Sequence, residues 1–389
     1  MITEAQRLSG TSEYYFSQKL QEIRTLEEKG KSVINLGIGN PDMMPSSGTI
    51  EVLSSSALKP TSHGYQSYKG IPALRQAIAK WSKSTYDITL NPDTEVLPLL
   101  GSKEGIMHIS MAFINPGDEV LIPNPGYPTY AAVSNIVGAS VITYDLDSSR
   151  NWEIDIEELK NRDLSKVKLL WMNYPHMPTG ASGSSEMFDK IIDLAEKNNF
   201  LIVNDNPYSL ILNDHPMSML NRPKADQWVI ELNSLSKSHN MAGWRVGWLA
   251  GNEQYITSVL KVKSNIDSGM FLPVQHAAVE AMNNPISWHQ EQNREYAMRK
   301  VAMLELLDVL GATYDIDQSG MFIWAKAPDS ISNLEEFIDQ LIYEAGVFIT
   351  PGFIFGSNGH GYIRVSLCST VETIGQAKQR IIEYLNSAK

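Results

Sequence analysis

Between residues 95 and 251 the chain repeats one pattern: a short apolar run closed by Gly, Pro, Asn or Asp, often followed by a helix-length segment. The runs are EVLPLLG (95–101), DEVLIPNPGYPTY (118–130), SVITYDL (140–146), VKLLWMN (167–173), FLIVND (200–205), WVIELNS (228–234) and RVGWLAG (245–251). Runs without polar alternation read as strands buried on both faces. Alternating with helices of about ten or more residues, such strands predict an α/β fold. The expected architecture is a large domain with a mostly parallel mixed sheet flanked by helices.

After about residue 252 the pattern changes. A helical region from about 285 to 310, a strand MFIWAKA (321–327), a helix over 333–345, strands VFITPG (347–352) and YIRVSLC (362–368) and a last helix predict a smaller α+β domain. A helix over about 12–30 and the run VINLGIG (33–39) are expected to join it. The chain of 389 residues suits two such units. We place the large domain at 46–284 and the small domain, with the N-terminal segment, at 1–45 and 285–389. A ligand site is expected at the C-terminal ends of the sheet strands, near the cleft.

Charge and composition narrow the partners. The formal net charge of -12 argues against nucleic acid or an anionic membrane as a partner. The first residues lack the apolar core of a signal peptide, and no apolar run approaches the roughly 20 residues of a membrane span. Cys368 is the single cysteine, so no internal disulfide framework exists and a reducing, cytoplasmic setting is expected. The histidines show no ligand spacing, so no protein metal site is expected.

Unusual residues sit where the strands end. Gly101, Ser102 and Lys103 lie between a strand and a helix start, which suits an anion, or a simple cap by Ser102. Tyr127 and Tyr130 follow the second strand and could stack on a planar ligand or pack on a rim. Asp205 ends a very apolar strand, with Tyr208 three residues on; a carboxylate there is costly unless partnered, although it could merely cap a turn. In NSLSKSHNMAGWRVGW (233–248), Ser234, Ser236, Lys237 and Arg245 occupy a small or apolar context. A lysine so placed shifts its pKa and serves as a nucleophile or Schiff-base former; a solvated lysine is the plainer reading. Arg364 lies within an apolar strand, where its planar fork fits a carboxylate or a structural ion pair.

Together, SLSKSHNMAGWRVG (an S-x-S-K followed by G-x-R-x-G), the Asp-x-x-Tyr of DNPY and the Arg364 segment resemble the class I/II aminotransferases of the fold-type I pyridoxal phosphate enzymes. The resemblance runs from INLGIGNPD to GYIRVSLC. It implies a transaminase that moves the amino group of an L-α-amino acid to a 2-oxo acid, 2-oxoglutarate by family habit. Lys237 would carry the cofactor as a Schiff base and then move the proton. Asp205 would pair with the ring nitrogen, Tyr208 would bond the phenolic oxygen, and Tyr127 would stack on the ring. Ser102, Lys103, Ser234 and Arg245 would hold the phosphate. Arg364, with the Gly39 backbone, would clamp the substrate carboxylate. Tyr65 would reach the phosphate of a neighbouring subunit, which implies a homodimer.

One position departs from the family. In WMNYPHMPTG the asparagine that normally donates to the phenolic oxygen is Met177, which cannot donate. Either Asn173 or His176 replaces it, or Met177 only packs there. The region KVKSNIDSGMFLPVQ (261–275) lacks the arginine of dicarboxylate-specific members, and Met270, Phe271 and Phe355 suit a neutral or aromatic side chain. The same Lys, Asp and Arg would also serve a β-eliminating C–S lyase. A non-catalytic regulator on this fold would need an added DNA-binding domain.

Overall fold

The computed structural model describes residues 2–8 and 15–387. The seven apolar runs form the strands β1 (Val96–Leu99), β2 (Glu119–Asn124), β3 (Ser140–Asp145), β4 (Val167–Met172), β5 (Leu201–Asp205), β6 (Val229–Ser234) and β7 (Gly247–Gly251). They build one sheet in the order β1-β7-β6-β5-β4-β2-β3. The pairings from β3 through β2, β4 and β5 to β6 are parallel, whereas β7 runs antiparallel to both β6 and β1. The fold is thus α/β with a large, mostly parallel mixed sheet. β5, β6 and β7 are buried throughout, as is the edge strand β1, whereas β3 at the other edge is mostly exposed or half-buried.

Alternate side chains feed cores on opposite faces. Leu169 and Trp171 of β4 join one cluster with Val203 and Leu232, while Leu170 and Met172 join the other. The second cluster continues through Ile323, Val365 and Phe348 into the C-terminal part of the chain. There a smaller antiparallel sheet runs Thr350–Pro351, Tyr362–Ser366, Phe322–Lys326 and Thr313–Tyr314. Ile34 and Asn35 pair in parallel with Val347 and Phe348, which brings the N-terminal segment to this part of the molecule.

Two local expectations are refined. The segment 347–352 is two short strands, because the chain leaves Ile34–Asn35 after Phe348 and joins Tyr362–Ser366 at Thr350. The helix over 333–345 is an α-helix, Leu334–Gln340, that widens into a π turn, Leu341–Ala345, closed by Gly346 at φ 64°. The N-terminal helix is Tyr15–Glu28; residues 12–14 of its expected span lie outside the described residues.

Because β7 is antiparallel, its start lies at the same edge of the sheet as the ends of its neighbours: Gly247 pairs with Leu99 and with Ser234. That edge gathers the unusual residues found in the sequence.

Candidate active site

A cavity of about 520 Å³ opens at this edge. Its floor comes from residues after β2, β4, β5 and β6. Phe16, Ser17 and Leu20 of the helix Tyr15–Glu28 also line it, as do Phe322 and Arg364 from the small sheet. The cavity brings together Gly39, Ser102, Lys103, Tyr127, Asn173, Asp205, Tyr208, Ser234, Lys237, Arg245 and Arg364. Tyr65 is not among its lining residues; it is 92% exposed at the surface.

Lys237 lies on a single helical turn, Leu235–Ser238, capped by the Ser234 hydroxyl, which accepts from Ser236 N at 3.0 Å. The lysine Nζ donates to Gly39 O at 2.6 Å. Burial, with Arg364 and Arg245 nearby, pushes its pKa down to about 8 although Cys368 opposes the shift. The amine therefore loses its proton close to neutral pH, as a base or nucleophile needs.

Asp205 is buried, and its Oδ2 accepts from Tyr130 OH at 3.1 Å. Its Oδ1 has no hydrogen-bond partner among the described residues. Burial lifts the pKa to about 7, the Tyr130 bond opposes this, and the Glu231 charge adds to it. A buried carboxylate oxygen left bare is costly and calls for a donor from a ligand.

The turn after β1 is shaped for an anion. Gly101, at φ 91°, is the N-cap of the helix Ser102–Phe113, so Ser102 is its first residue and not its cap. Ser102 and Lys103, in the first turn of that helix, line the cavity at the positive end of the helix dipole. A Cβ on Gly101 would run into the Arg245 guanidinium. Arg245 was expected to start a strand; it sits just before β7 in the left-handed region at φ 58°, its Nη1 bonded to Ala242 O at 2.9 Å. Burial and the adjacent Arg245 lower the Lys103 pKa.

Arg364 is only 4% exposed. Its guanidinium lies 3.8 Å from the Phe322 ring centroid, 4.8 Å from that of Phe355 and 5.4 Å from that of Phe16. Nη2 donates to Gly37 O at 2.8 Å, and Nη1 meets the Met177 sulfur at 3.2 Å. The aromatic faces stabilise the buried cation.

The loop after β4 settles what surrounds Met177. Asn173 Nδ2 donates to Asp205 O, and its Oδ1 accepts from Met177 N at 2.7 Å, so both ends of that amide serve the loop. His176 Nδ1 bonds Thr179 Oγ1 at 2.8 Å, and the ring does not line the cavity. Burial drives its pKa down to about 3. Both side chains are thus bonded within this part of the fold, Asn173 also lines the cavity, and the Met177 thioether faces Arg364.

Sequence reasoning left two features unseen. Tyr130, not Tyr127, donates to Asp205, because it stacks on Trp171 with ring centroids 5.1 Å apart. The lining by Phe16 and Leu20 was also missed; its signal was the apolar spacing in YYFSQKL.

The groups present suit pyridoxal 5'-phosphate. The bare Asp205 Oδ1 fits a protonated ring nitrogen, the glycine turn with Arg245 fits a phosphate, and a half-buried amine of lowered pKa fits an aldehyde. Residues 31–381 match the family described as aminotransferase class I and II. The chain is 38% identical over 383 residues to an LL-diaminopimelate aminotransferase of Aquifex aeolicus, covering 98% of this chain and 99% of the relative. It is 37% identical over 387 residues to the enzyme so named from Natranaerobius thermophilus, covering 99% and 100%. Among solved structures, apo-BacF from Bacillus subtilis superposes with a TM-score of 0.94 at 33% identity, covering 98% of each chain. With its fold, its cavity and its near full-length relatives in agreement, the chain belongs to the class I and II aminotransferases and is a pyridoxal phosphate-dependent enzyme.

Proposed function

We propose that the enzyme moves the amino group of an apolar or aromatic L-α-amino acid to a 2-oxo acid, 2-oxoglutarate by family habit, with the cavity residues in the following roles. Bound pyridoxal phosphate supplies an aldehyde carbon and an electron-withdrawing ring that lets a Cα proton leave. Lys237 holds the cofactor and, once its amine is free, carries that proton. Asp205 faces the ring nitrogen, Tyr208 the phenolic oxygen and Tyr127 the ring face. The backbone of Ser102 and Lys103, with Ser234, Arg245 and Asn173, completes the cofactor site.

Arg364, with Gly39 beside it, fixes the substrate carboxylate, so the reacting carbon is oriented by its anchor and not by its side chain. The observation that carries this reading is the Lys237 amine, half-buried and with its pKa lowered to about 8, in the same cavity as the bare Asp205 oxygen.

The side-chain preference rests on Phe16, Leu20, Ile38 and Phe322, which line the cavity beside Arg364. The names of the curated relatives favour a second reading, LL-diaminopimelate, whose far end is charged. We further infer a cytoplasmic homodimer in which Tyr65 crosses to the partner's phosphate. In this reading residues 46–284 bind the cofactor, and 1–45 with 285–389 cover it.

A half-reaction screen separates these substrates. Leucine, phenylalanine, aspartate and LL-diaminopimelate are mixed singly with holoenzyme, and the loss of cofactor absorbance is followed. Phenylalanine or leucine is expected to react fastest; a clear lead for LL-diaminopimelate selects the second reading. Release of pyruvate and ammonia in place of an oxo acid would instead mark an eliminating lyase. Lys237→Ala is expected to abolish turnover, and retained turnover would overturn the mechanism.

A further inference from the structure

We propose that Glu231 is a positioning residue: through the two asparagines that flank Asp205 it fastens that strand end, and its charge makes the site selective for a ring carrying a proton on nitrogen. The inference rests on reading Asp205 as the partner of the ring nitrogen.

Glu231 lies within β6 and is 1% exposed, outside the cavity lining. Across the sheet it pairs in register with Asn204. Five donors converge on it. Oε1 accepts from Ser218 Oγ at 2.7 Å, Asn233 Nδ2 at 3.2 Å and Asn206 Nδ2 at 3.3 Å. Oε2 accepts from Met219 N at 3.0 Å and Asn204 Nδ2 at 3.1 Å. Burial raises the Glu231 pKa, and these donors, all neutral, oppose that shift by favouring the anion.

The residues before and after Asp205 are therefore tied to one buried carboxylate. Asn204 passes the connection on, because its Oδ1 accepts from Tyr174 N at 3.2 Å in the loop that carries Met177. Asn206 adds a backbone bond to Leu232 O at 2.8 Å. A second carboxylate thus lies behind Asp205, outside the cavity, and Asp205 has one neutral donor and one bare oxygen. Like charges in a poorly solvated site favour whichever ligand brings a positive N–H to them. The titratable groups that feel the Glu231 charge are Asp205 and Tyr86, and the Tyr86 phenol, fully buried, stays protonated at any working pH.

The test uses apoenzyme and two probes, pyridoxal 5'-phosphate and its 1-deaza analogue, which has carbon in place of the ring nitrogen. The ratio of their affinities isolates the ring nitrogen, because both present the same aldehyde and phosphate. Glu231→Gln is expected to lower that ratio about tenfold, the equivalent of one pKa unit of interaction. An unchanged ratio, or equal weakening of both probes, overturns the proposal, since a merely structural role would affect both alike.

Asp205→Asn is the control for the underlying reading and should collapse the ratio. If it does not, the role of Asp205 falls, and this proposal with it. If it does and Glu231→Gln does not, only this proposal falls. Should Glu231→Gln fail to fold, Ser218→Ala decides. Losing the shortest bond to Glu231 raises that group's proton affinity, so the ratio should begin to drop at a higher pH than in the unaltered enzyme. A ratio that follows the unaltered enzyme at every pH overturns the proposal.

Discussion

Asp205 is an acid kept where water cannot solvate its charge, and its cost can be followed by pH. Its pKa rises from 3.8 to about 7 on folding. Between those values the folded chain binds more protons than the unfolded one, so apoenzyme stability falls as pH rises through that window and stays low above it. Asp205→Asn should therefore stabilise the apoenzyme at pH 8 by about 2–4 kcal/mol while weakening cofactor binding. Urea unfolding at pH 8 and pH 4 checks this, and a gain as large at pH 4 as at pH 8 would sink it. At this scale the sequence was legible where a charged residue interrupted an apolar run, as at Lys237, Asp205 and Arg364. It was illegible where the partner came from elsewhere. Nothing local separates Tyr127 from Tyr130, and Glu231 reads as an ordinary strand residue until segments 204–206 and 218–219 fold onto it.

Between elements, the helix Ile286–Leu310 ties the segment carrying Gly39 to the strand carrying Arg364. The Arg299 side chain, 3% exposed, bonds Asp42 through Nη1 at 2.6 Å and Nη2 at 3.0 Å. It also bonds Glu295 at 2.8 Å and Leu367 O at 3.1 Å. Removing one side of a buried pair strands the other, so Arg299→Met should cost about 2–4 kcal/mol, the lower range reflecting the part-exposed Asp42. It should also raise KM for the amino acid more than it lowers kcat, because Gly39 and Arg364 lose their common tether. Thermal unfolding with steady-state kinetics tests both, and a stable variant of normal KM refutes the tether. Arg299→Lys should rescue only part, since lysine lacks the planar fork. The strands and helices themselves were legible from apolar runs and breakers. The split at Ile349 was not, because a change of pairing partner leaves no local mark.

On the whole molecule, apolar side chains are exposed on adjoining loops. Tyr65 is 92% exposed, Ile266 54% and Phe271 46%, and the Phe271 ring lies 6.0 Å from that of His63. Gly269 packs so closely on Gln66 that a Cβ would strike its carbonyl, so these loops form one surface. Sedimentation should find a dimer, and Phe271→Glu should shift it towards monomer with loss of activity, because Tyr65 would no longer reach a partner's site. A fully active monomer would refute the shared site. The α/β architecture was legible throughout, since alternation is a property of every unit; the surface was not, since nothing in a run of residues says which loops will adjoin.

Phe16 and Arg364 meet beside the cavity, one from near each end of the chain. Lys237, Asp205 and the glycine turn all lie between them. A polypeptide leaving the ribosome therefore exposes the groups for the cofactor before the anchor for the amino acid has been made. A product terminated short of Arg364 would also lack Val365, Leu367 and Ile374 of the core that reaches from the large sheet, so it should fail to fold before it could hold either ligand.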